Sequence, residues 1–490
     1  MVMRGGSRTP YIDELRECAG ELMASCVSAD PLQYMYPDFH EAVTSDVASL
    51  VTAQTAGLCE HKDVRDAVSY AAETYYAHVY PCRSYPGTFI RTTPRVDRMG
   101  SHLQSLRDIP QPEQRTPEWY AFRKEYITAS SAWKAFASPA ARRQLIHDKC
   151  APADQGRRSG GGSLDSPLQW GVRYEPVSIA WYEHMYATTV EDFGCIPHPT
   201  LHCLAASPDG INSSPDSPLY GRMLEVKNIV NRDITGIPKL EYWVQMQLQM
   251  EVCSLNECDF LETRFKEYES FRQFSEDGTF TTTETGKPKG MIMCFQHDGG
   301  MLYEYPPWNV SSDECAEWES SVMAKHPEGS WVTNSYWYLE EVSCVLVLRN
   351  KLWFKAAKSV LDSVWTSVMS ERARGCCLSV PKRKPKPGTG MLGTCIIDTA
   401  ALASQEQGAS QEQGASQEQG AGQEQGASQE QGASQEQGAS QEQGASQEQG
   451  ASQEQGVSQE QGVSQEQGVN QEQEPTNVIY ISTQRLTDAT

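Results

Sequence analysis

A hexapeptide close to Ser-Gln-Glu-Gln-Gly-Ala recurs twelve times over residues 404–473, with Gly422 and Asn470 standing where the other copies have serine. The tract has almost no large apolar side chain, so it has nothing to bury against the conformational entropy that folding costs. It is predicted to be a disordered spacer. A folded structure must therefore be built from the residues before it. The tract also colours the charge balance: of the formal net charge of −23, residues 404–490 carry −13, which leaves −10 for residues 1–403. A body that is still acidic has to hold a polyanion through a local basic patch. The 490 residues allow about two to three domains. Fifteen cysteines form no C-x-x-C pair, and neither a signal peptide nor a run of about eighteen apolar residues is present. These features point to a reduced intracellular compartment and no membrane partner.

Residues 1–110 read as mainly helical. Segments 11–28, 40–59 and 63–80 space their apolar residues at three and four, as a buried helical face requires. Tyr70, Tyr75, Tyr76 and Tyr80 weigh as core residues more than as stacking platforms for bases.

The chemistry begins between Ser207 and Lys227. Ser207-Pro208-Asp209-Gly210 and Leu224-Glu225-Val226-Lys227 flank an interval of Asn, Ser, Pro, Asp and Gly, which is turn chemistry between two candidate strands. If residues 223–230 form a strand, Glu225 and Lys227 share a face, and a hairpin brings them to Asp209. Two carboxylates and an ammonium at one point suit a hard cation, usually magnesium or manganese, with a lysine to orient the attacking water. On those residues alone the signal is weak, because an amphipathic hairpin shows the same pattern by chance.

The flanks add to it. Thr116 and Pro117 start a helix carrying Trp119, Arg123 and Lys124, and Ile127-Thr128-Ala129-Ser130-Ser131 opens a second. Arg123 with the hydroxyl of Ser130 reads equally as an anion site or as a surface arginine and an ordinary cap. Residues 157–163 form a Gly-rich loop without the lysine and hydroxyl order of a P-loop, which argues against an ATP-driven motor. Glu175, near the start of a helix opening at 168, is either dipole compensation or a third carboxylate for the metal. Cys195, His198, His202 and Cys203 fit no standard zinc spacing and favour a structural role. Residues 242–251 read as a helix with Gln245 and Gln249 one turn apart beside an apolar stripe of Tyr242, Met246 and Met250. Residues 258–263 read as a strand.

Taken together, Trp119, Arg123, Ile127-Thr128-Ala129-Ser130, Trp170-Gly171, Tyr174-Glu175, Ser207-Pro208-Asp209-Gly210, Glu225-Val226-Lys227, Tyr242 and Gln245-x-Gln247 resemble the phage lambda exonuclease and YqaJ-type viral recombinase family. The herpesvirus alkaline nucleases are more distant members of the same PD-(D/E)xK nuclease superfamily. The resemblance covers residues from about 115 to 270. It implies an α/β fold with a restriction-endonuclease-like core, a mixed central sheet flanked by helices. It also implies a metal-dependent 5′→3′ exonuclease acting on double-stranded DNA ends, with Mg2+ or Mn2+ as cofactor, two ions in all. By motif position Asp209, Glu225 and the Val226 carbonyl hold the metals, with Glu175 joining directly or through water. Lys227 positions the water and Gln245 matches an active-site glutamine. Arg123 and Ser130 match residues that grip the terminal 5′-phosphate, Ser207 assists, and Arg232 sits one residue out of step with a phosphate-contacting arginine. A single-strand annealing protein is the partner implied for the 3′ strand, and the oligomeric state is left open.

Beyond residue 285 the chain carries Trp308, Trp318, Trp331, Trp337, Trp353 and Trp365. A strand is predicted at 342–348 and a long helix at 352–374. The plan is a helical region (1–110), a nuclease core (111–285), an extension packing on it (286–375), a basic linker (376–403) and the repeat tail (404–490). Residues 381–387, Pro-Lys-Arg-Lys-Pro-Lys-Pro, read as a nuclear import signal ahead of a non-specific phosphate contact. An endonuclease or RNA-cleaving enzyme on the same core, and a non-catalytic DNA-binding scaffold, are the competing functions.

Overall fold

Each of the first helices carries one apolar stripe. In α1 (Arg8–Ala29), Leu15, Ala19, Met23 and Val27 follow one another at every fourth position and are buried. The spacing recurs as Val43, Val47 and Val51 in α2 (Phe39–Gln54), and as Val64, Val68 and Ala72 in α3 (His61–His78), where Tyr75 follows three residues on. Stripes of that period need a partner helix, and these three pack on one another. The helix expected over 40–59 stops at Gln54, because Ala56 and Gly57 turn the chain through the left-handed region (φ 50° and 71°).

The computed structural model describes residues 8–375, apart from 92–94, 113, 115, 152–166, 298–299 and 328. The loop at 157–163, the basic cluster at 381–387 and the repeat at 404–473 lie outside the described residues. After α3 come α4 (Val96–Arg107), α5 (Pro117–Lys124), β1 (Ile127–Thr128), α6 (Ala129–Ala132), α7 (Pro139–Cys150) and α8 (Pro167–Tyr186). Four short strands follow: β2 (Val190–Glu191), β3 (Ile196–Pro197), β4 (Leu204–Ala206) and β5 (Gly210–Asn212). Then come β6 (Met223–Asn228), α9 (Leu240–Cys253), β7 (Glu257–Glu267), α10 (Phe271–Glu276), β8 (Lys289–His297), β9 (Gly300–Glu304), α11 (Ser312–Lys325), β10 (Trp331–Leu348) and α12 (Lys351–Ala373).

The large sheet has seven strands in the order β2-β5-β6-β7-β10-β8-β9, and within it only β6 and β7 run parallel. A smaller sheet, β1-β4-β3, has its strands interleaved in sequence with the first strands of the large one. The fold is thus α/β with a mixed sheet flanked by helices, as expected, behind a helical N-terminal region. Strand alternation sorts the two faces. Leu224, Val226 and Leu261 pack with Tyr174, Val177 and Tyr182 of α8. Met223, Cys258, Phe260, Val345 and Val347 face a larger core shared by α9, α12 and the N-terminal helices. Tyr34 stacks on Trp243 of α9, whose indole nitrogen donates to the Arg83 carbonyl at 2.8 Å.

The strand predicted at 342–348 is the second half of an 18-residue strand, β10, which pairs with β7 from Trp337↔Glu267 to Leu348↔Glu257. Residues beyond 285 therefore supply three strands of the same sheet. Among the described residues no helix is long and apolar enough to cross a membrane.

Candidate active site

The β5–β6 hairpin sets the first geometry. Gly210 is required by close approach: a Cβ there would lie 2.1 Å from Val190 Cγ1 of the adjoining β2. Gly221 turns the chain back at φ +83° under Met99. Gly210 pairs with Leu224 and Ile211 with Met223, so the antiparallel register continued by one step sets Asp209 opposite Glu225.

The side chains close this arrangement. Asp209 Oδ2 accepts from the Val226 amide at 2.9 Å. Glu225 is wholly buried, accepts from Gln249 Nε2 at 2.7 Å, and forms a close ion pair with Lys227. Lys227 Nζ also lies 3.0 Å from the Val226 carbonyl and 3.7 Å from Asp209 Oδ2. Asp209 and Lys227 keep 22% of their side chains open to solvent. Burial, with the Asp209 charge beside it, pushes the Glu225 carboxyl up to about 7. Burial would lower the Lys227 ammonium, but Glu225 and Asp209 hold it above its ordinary value.

Two carboxylates and one carbonyl thus converge on a cation, here the protein's own ammonium. A set of hard oxygen donors with one open side fits Mg2+ or Mn2+, which take one or two carboxylates and leave positions for water and phosphate oxygens. Glu175 is not gathered with them: among the described residues no group of three or more His, Cys, Asp or Glu side chains converges to hold a metal. Glu175 lies half-buried on α8, the helix packed against the opposite face of β6. It shares a helix face with Gly171 and Ser178, both bonded to Asn228, the residue after Lys227. Nor do Cys195, His198, His202 and Cys203 meet at a metal site; His198 Nδ1 accepts from the Thr200 and Leu201 amides at 3.1 and 2.9 Å, a turn-holding role.

A second group is positively charged. Thr116 caps α5 by accepting from the Trp119 amide at 3.2 Å, with Pro117 at the first helical position. One turn on, the Arg123 guanidinium lies 4.1 Å over the Trp119 ring and donates to Ser130 Oγ at 3.1 Å. Lys149 of α7, which the sequence did not single out, is buried and donates to the Arg123 carbonyl at 2.9 Å. Burial pushes the Arg123 guanidinium down, and burial together with the Arg123 charge brings Lys149 down to about 8. Both cations therefore favour an added anion. The Cys195 thiol, raised by burial, is in turn lowered by Ser207, Arg123 and Lys149 around it. The Ser207 carbonyl accepts from Gln249 Nε2 at 3.1 Å, and the same amide reaches Glu225. Gln249 thus ties the Ser207 backbone to Glu225, while the Ser207 hydroxyl is buried without a hydrogen-bond partner among the described residues.

Helix α9 is buried from Trp243 to Cys253, so its glutamines are interior groups. Gln249 holds Glu225; Gln245, one turn earlier and also buried, makes no hydrogen bond to Asp209, Glu225 or Lys227. Their shared face was readable from the spacing of four, but which turn meets the carboxylate was not. Arg232 pairs closely with the buried Glu262, its guanidinium 5.6 Å from the centre of the Tyr242 ring, and Lys227 Nζ lies 5.4 Å from the same centre. The structure thus brings Arg232 to the Lys227 side of the cluster.

A sequence profile of the YqaJ-like viral recombinase domain matches residues 118–256. An uncharacterized protein of Acanthamoeba polyphaga mimivirus is 28% identical over 348 residues, covering 63% of this chain and 61% of that protein. The chain therefore spans less than two thirds of the length of this relative. Among solved structures, an alkaline exonuclease from Laribacter hongkongensis, LHK-Exo, aligns over 53% of this chain and 95% of its own at 20% identity, with a TM-score of 0.31. The same enzyme in complex with dAMP aligns over the same shares with a TM-score of 0.30.

Proposed function

Residues 118–256 carry a YqaJ-like viral recombinase domain, and from that premise we propose that the protein is a metal-dependent nuclease that degrades duplex DNA 5′→3′ from 5′-phosphorylated ends. The 3′ strand it leaves would serve recombination or viral DNA processing through a single-strand annealing partner. The observation that carries this reading is the oxygen-donor cluster at Asp209, Glu225 and the Val226 carbonyl, closed by Lys227 and Gln249, in a chain that also holds Arg123 against Ser130 with Lys149 buried behind it.

Two Mg2+ or Mn2+ ions held by Asp209, Glu225 and the Val226 carbonyl, with Glu175 acting through water, would supply Lewis-acid compensation on the attacking and leaving oxygens. The chain's own groups do the rest. Gln249 fixes the Glu225 carboxylate, and the Lys227 ammonium orients the water and offsets negative charge as it develops. Gln245 is assigned to hold a water or phosphate oxygen at the same helix face. Arg123, Ser130 and Ser207 grip the terminal phosphate, and Arg232 meets a backbone phosphate. Holding the terminus apart from the carboxylates keeps the scissile bond one nucleotide away, which turns a general cutter into an end-directed one. The nuclear address proposed for residues 381–387 rests on the sequence alone.

The test is digestion of linear duplexes bearing 5′-phosphate or 5′-hydroxyl ends, with magnesium and with chelator, beside closed circular DNA and RNA. Magnesium-dependent loss of the phosphorylated linear duplex is expected. Cleavage of circles or RNA at equal rates would replace end-directed DNA digestion with the endonuclease or RNA reading. Digestion that survives in Asp209→Ala would remove the site assignment.

A further inference from the structure

We propose that Glu262 and Tyr242 form a seat that holds Arg232 beside Lys227, so that Arg232 meets substrate phosphate as a fixed group, an inference that rests on the nuclease reading above. Glu262 is 1% exposed, and a carboxylate buried to that degree is costly unless it is paired. Its pair is the guanidinium of Arg232, thirty residues earlier in the chain, on the loop that leaves β6.

The parallel register of β6 and β7 explains the neighbourhood. Glu225 pairs with Phe260 and Lys227 with Glu262, so all four side chains point to the face covered by α9. Tyr242, in the first turn of α9, lies against Phe260 with ring centres 5.8 Å apart and serves both cations, Lys227 at 5.4 Å and Arg232 at 5.6 Å. Arg264 fixes the backbone under the seat by donating to the Arg232 carbonyl at 2.5 Å. Arg232 uses Nη2 on Glu262 and Nη1 on the Asp233 carbonyl at 3.1 Å, and a guanidinium with five N–H donors keeps others for phosphate. Glu262 is therefore a positioning residue that acts through Arg232.

The experiment uses the full-length protein as wild type, Glu262→Gln, Glu262→Asp, Arg232→Met and the Arg232→Met/Glu262→Gln double variant, each checked for an unchanged melting transition. Binding of a phosphorylated duplex in chelator is read by fluorescence anisotropy, and turnover is read in magnesium. Removing a negative charge from a DNA-binding face by itself tightens binding, so the sign is informative. A positioning role is expected to do the opposite. Glu262→Gln should bind several-fold more weakly and lose about tenfold to a hundredfold in kcat, Glu262→Asp should recover part of both, and the glutamine should cost nothing further once Arg232 is methionine. Equal or tighter binding by Glu262→Gln, or an undiminished loss in the Arg232→Met background, overturns the proposal. A wild type that binds duplex without cutting it would count against the nuclease reading, while the binding arm would still judge Glu262.

Discussion

Two charge clusters lie at the two ends of β6, one at Arg222 just before the strand and one at Lys227 near its end, and each contains two carboxylates and one cation. At Arg222 the guanidinium pairs with Glu257 at 2.6 Å and with Asp259 at 3.3 Å. Asp259 also accepts from Thr88 Oγ1 and from the Tyr182 hydroxyl, both at 2.6 Å, and Arg222 donates to the Phe89 carbonyl at 3.0 Å. Burial would lower Arg222, but Asp259 and Glu257 hold it above its ordinary value. At Lys227 the charge count is the same and the outcome differs. There the cation itself reaches solvent beside Asp209, whereas Arg222 and Asp259 are sealed and only Glu257 is open at the rim; the buried Glu225 is driven up toward neutrality by burial and by Asp209. A closed network with donors for its carboxylates serves the fold. An open one whose carboxylates repel has the character of a ligand site, because an arriving cation would relieve that repulsion.

The contrast can be broken by exchange of single residues. The largest effect is expected at Asp209→Asn, which should abolish magnesium-dependent DNA cleavage, a loss of about a thousandfold or more, while calorimetry finds the melting transition unchanged or raised. A transition that fell instead would make both clusters structural. Next comes Arg222→Met: leaving Asp259 buried beside a missing partner should cost about 3–5 kcal/mol in urea unfolding. A near-neutral result there would show that the closed network does not hold the fold.

The third effect separates the two halves of the site. Arg123→Glu should erase the preference for 5′-phosphorylated over 5′-hydroxyl ends and leave slow cleavage of both, as measured with paired substrates. The fourth is a pH effect. Lys149 is lowered from 10.5 to about 8 in the folded chain, so between those values the unfolded state binds more protons and stability rises with pH. Wild type should therefore gain melting temperature relative to Lys149→Met between pH 8 and pH 10, and its preference for phosphorylated ends should fade over the same range as the ammonium is lost. A flat difference would mean that Lys149 keeps its proton. The smallest effect is expected from deleting residues 404–473, which should leave nuclease activity unchanged; a large loss would contradict the spacer reading.

Much of the framework was legible because it is local. The four-residue spacing in α1 to α3, the cap at Thr116, the hairpin at Asp209 and Glu225 and the long helix after residue 350 each depend on neighbours within a few turns or one strand pair. Legibility fails where partners lie far apart in the chain. Arg372 of α12 donates to the Lys124 and Lys149 carbonyls at 2.8 and 3.0 Å and so supports the cation pocket from more than two hundred residues away. Gln247, named in the motif without a role, bonds the Leu348 carbonyl and the Asn350 amide in the interior.

Strand alternation and turn composition by themselves put Glu225 and Lys227 on one face of a candidate strand and offered a hairpin back to Asp209, since both are properties of consecutive residues. Only the tertiary structure decided that Gln249 holds Glu225, that Lys149 lies under Arg123, that Glu262 claims Arg232, and that the helix carrying Glu175 packs on the face of β6 opposite α9. Periodicity says which face a side chain takes; which neighbour it meets there depends on strand order, register and helix placement, and these are settled only when the whole core packs.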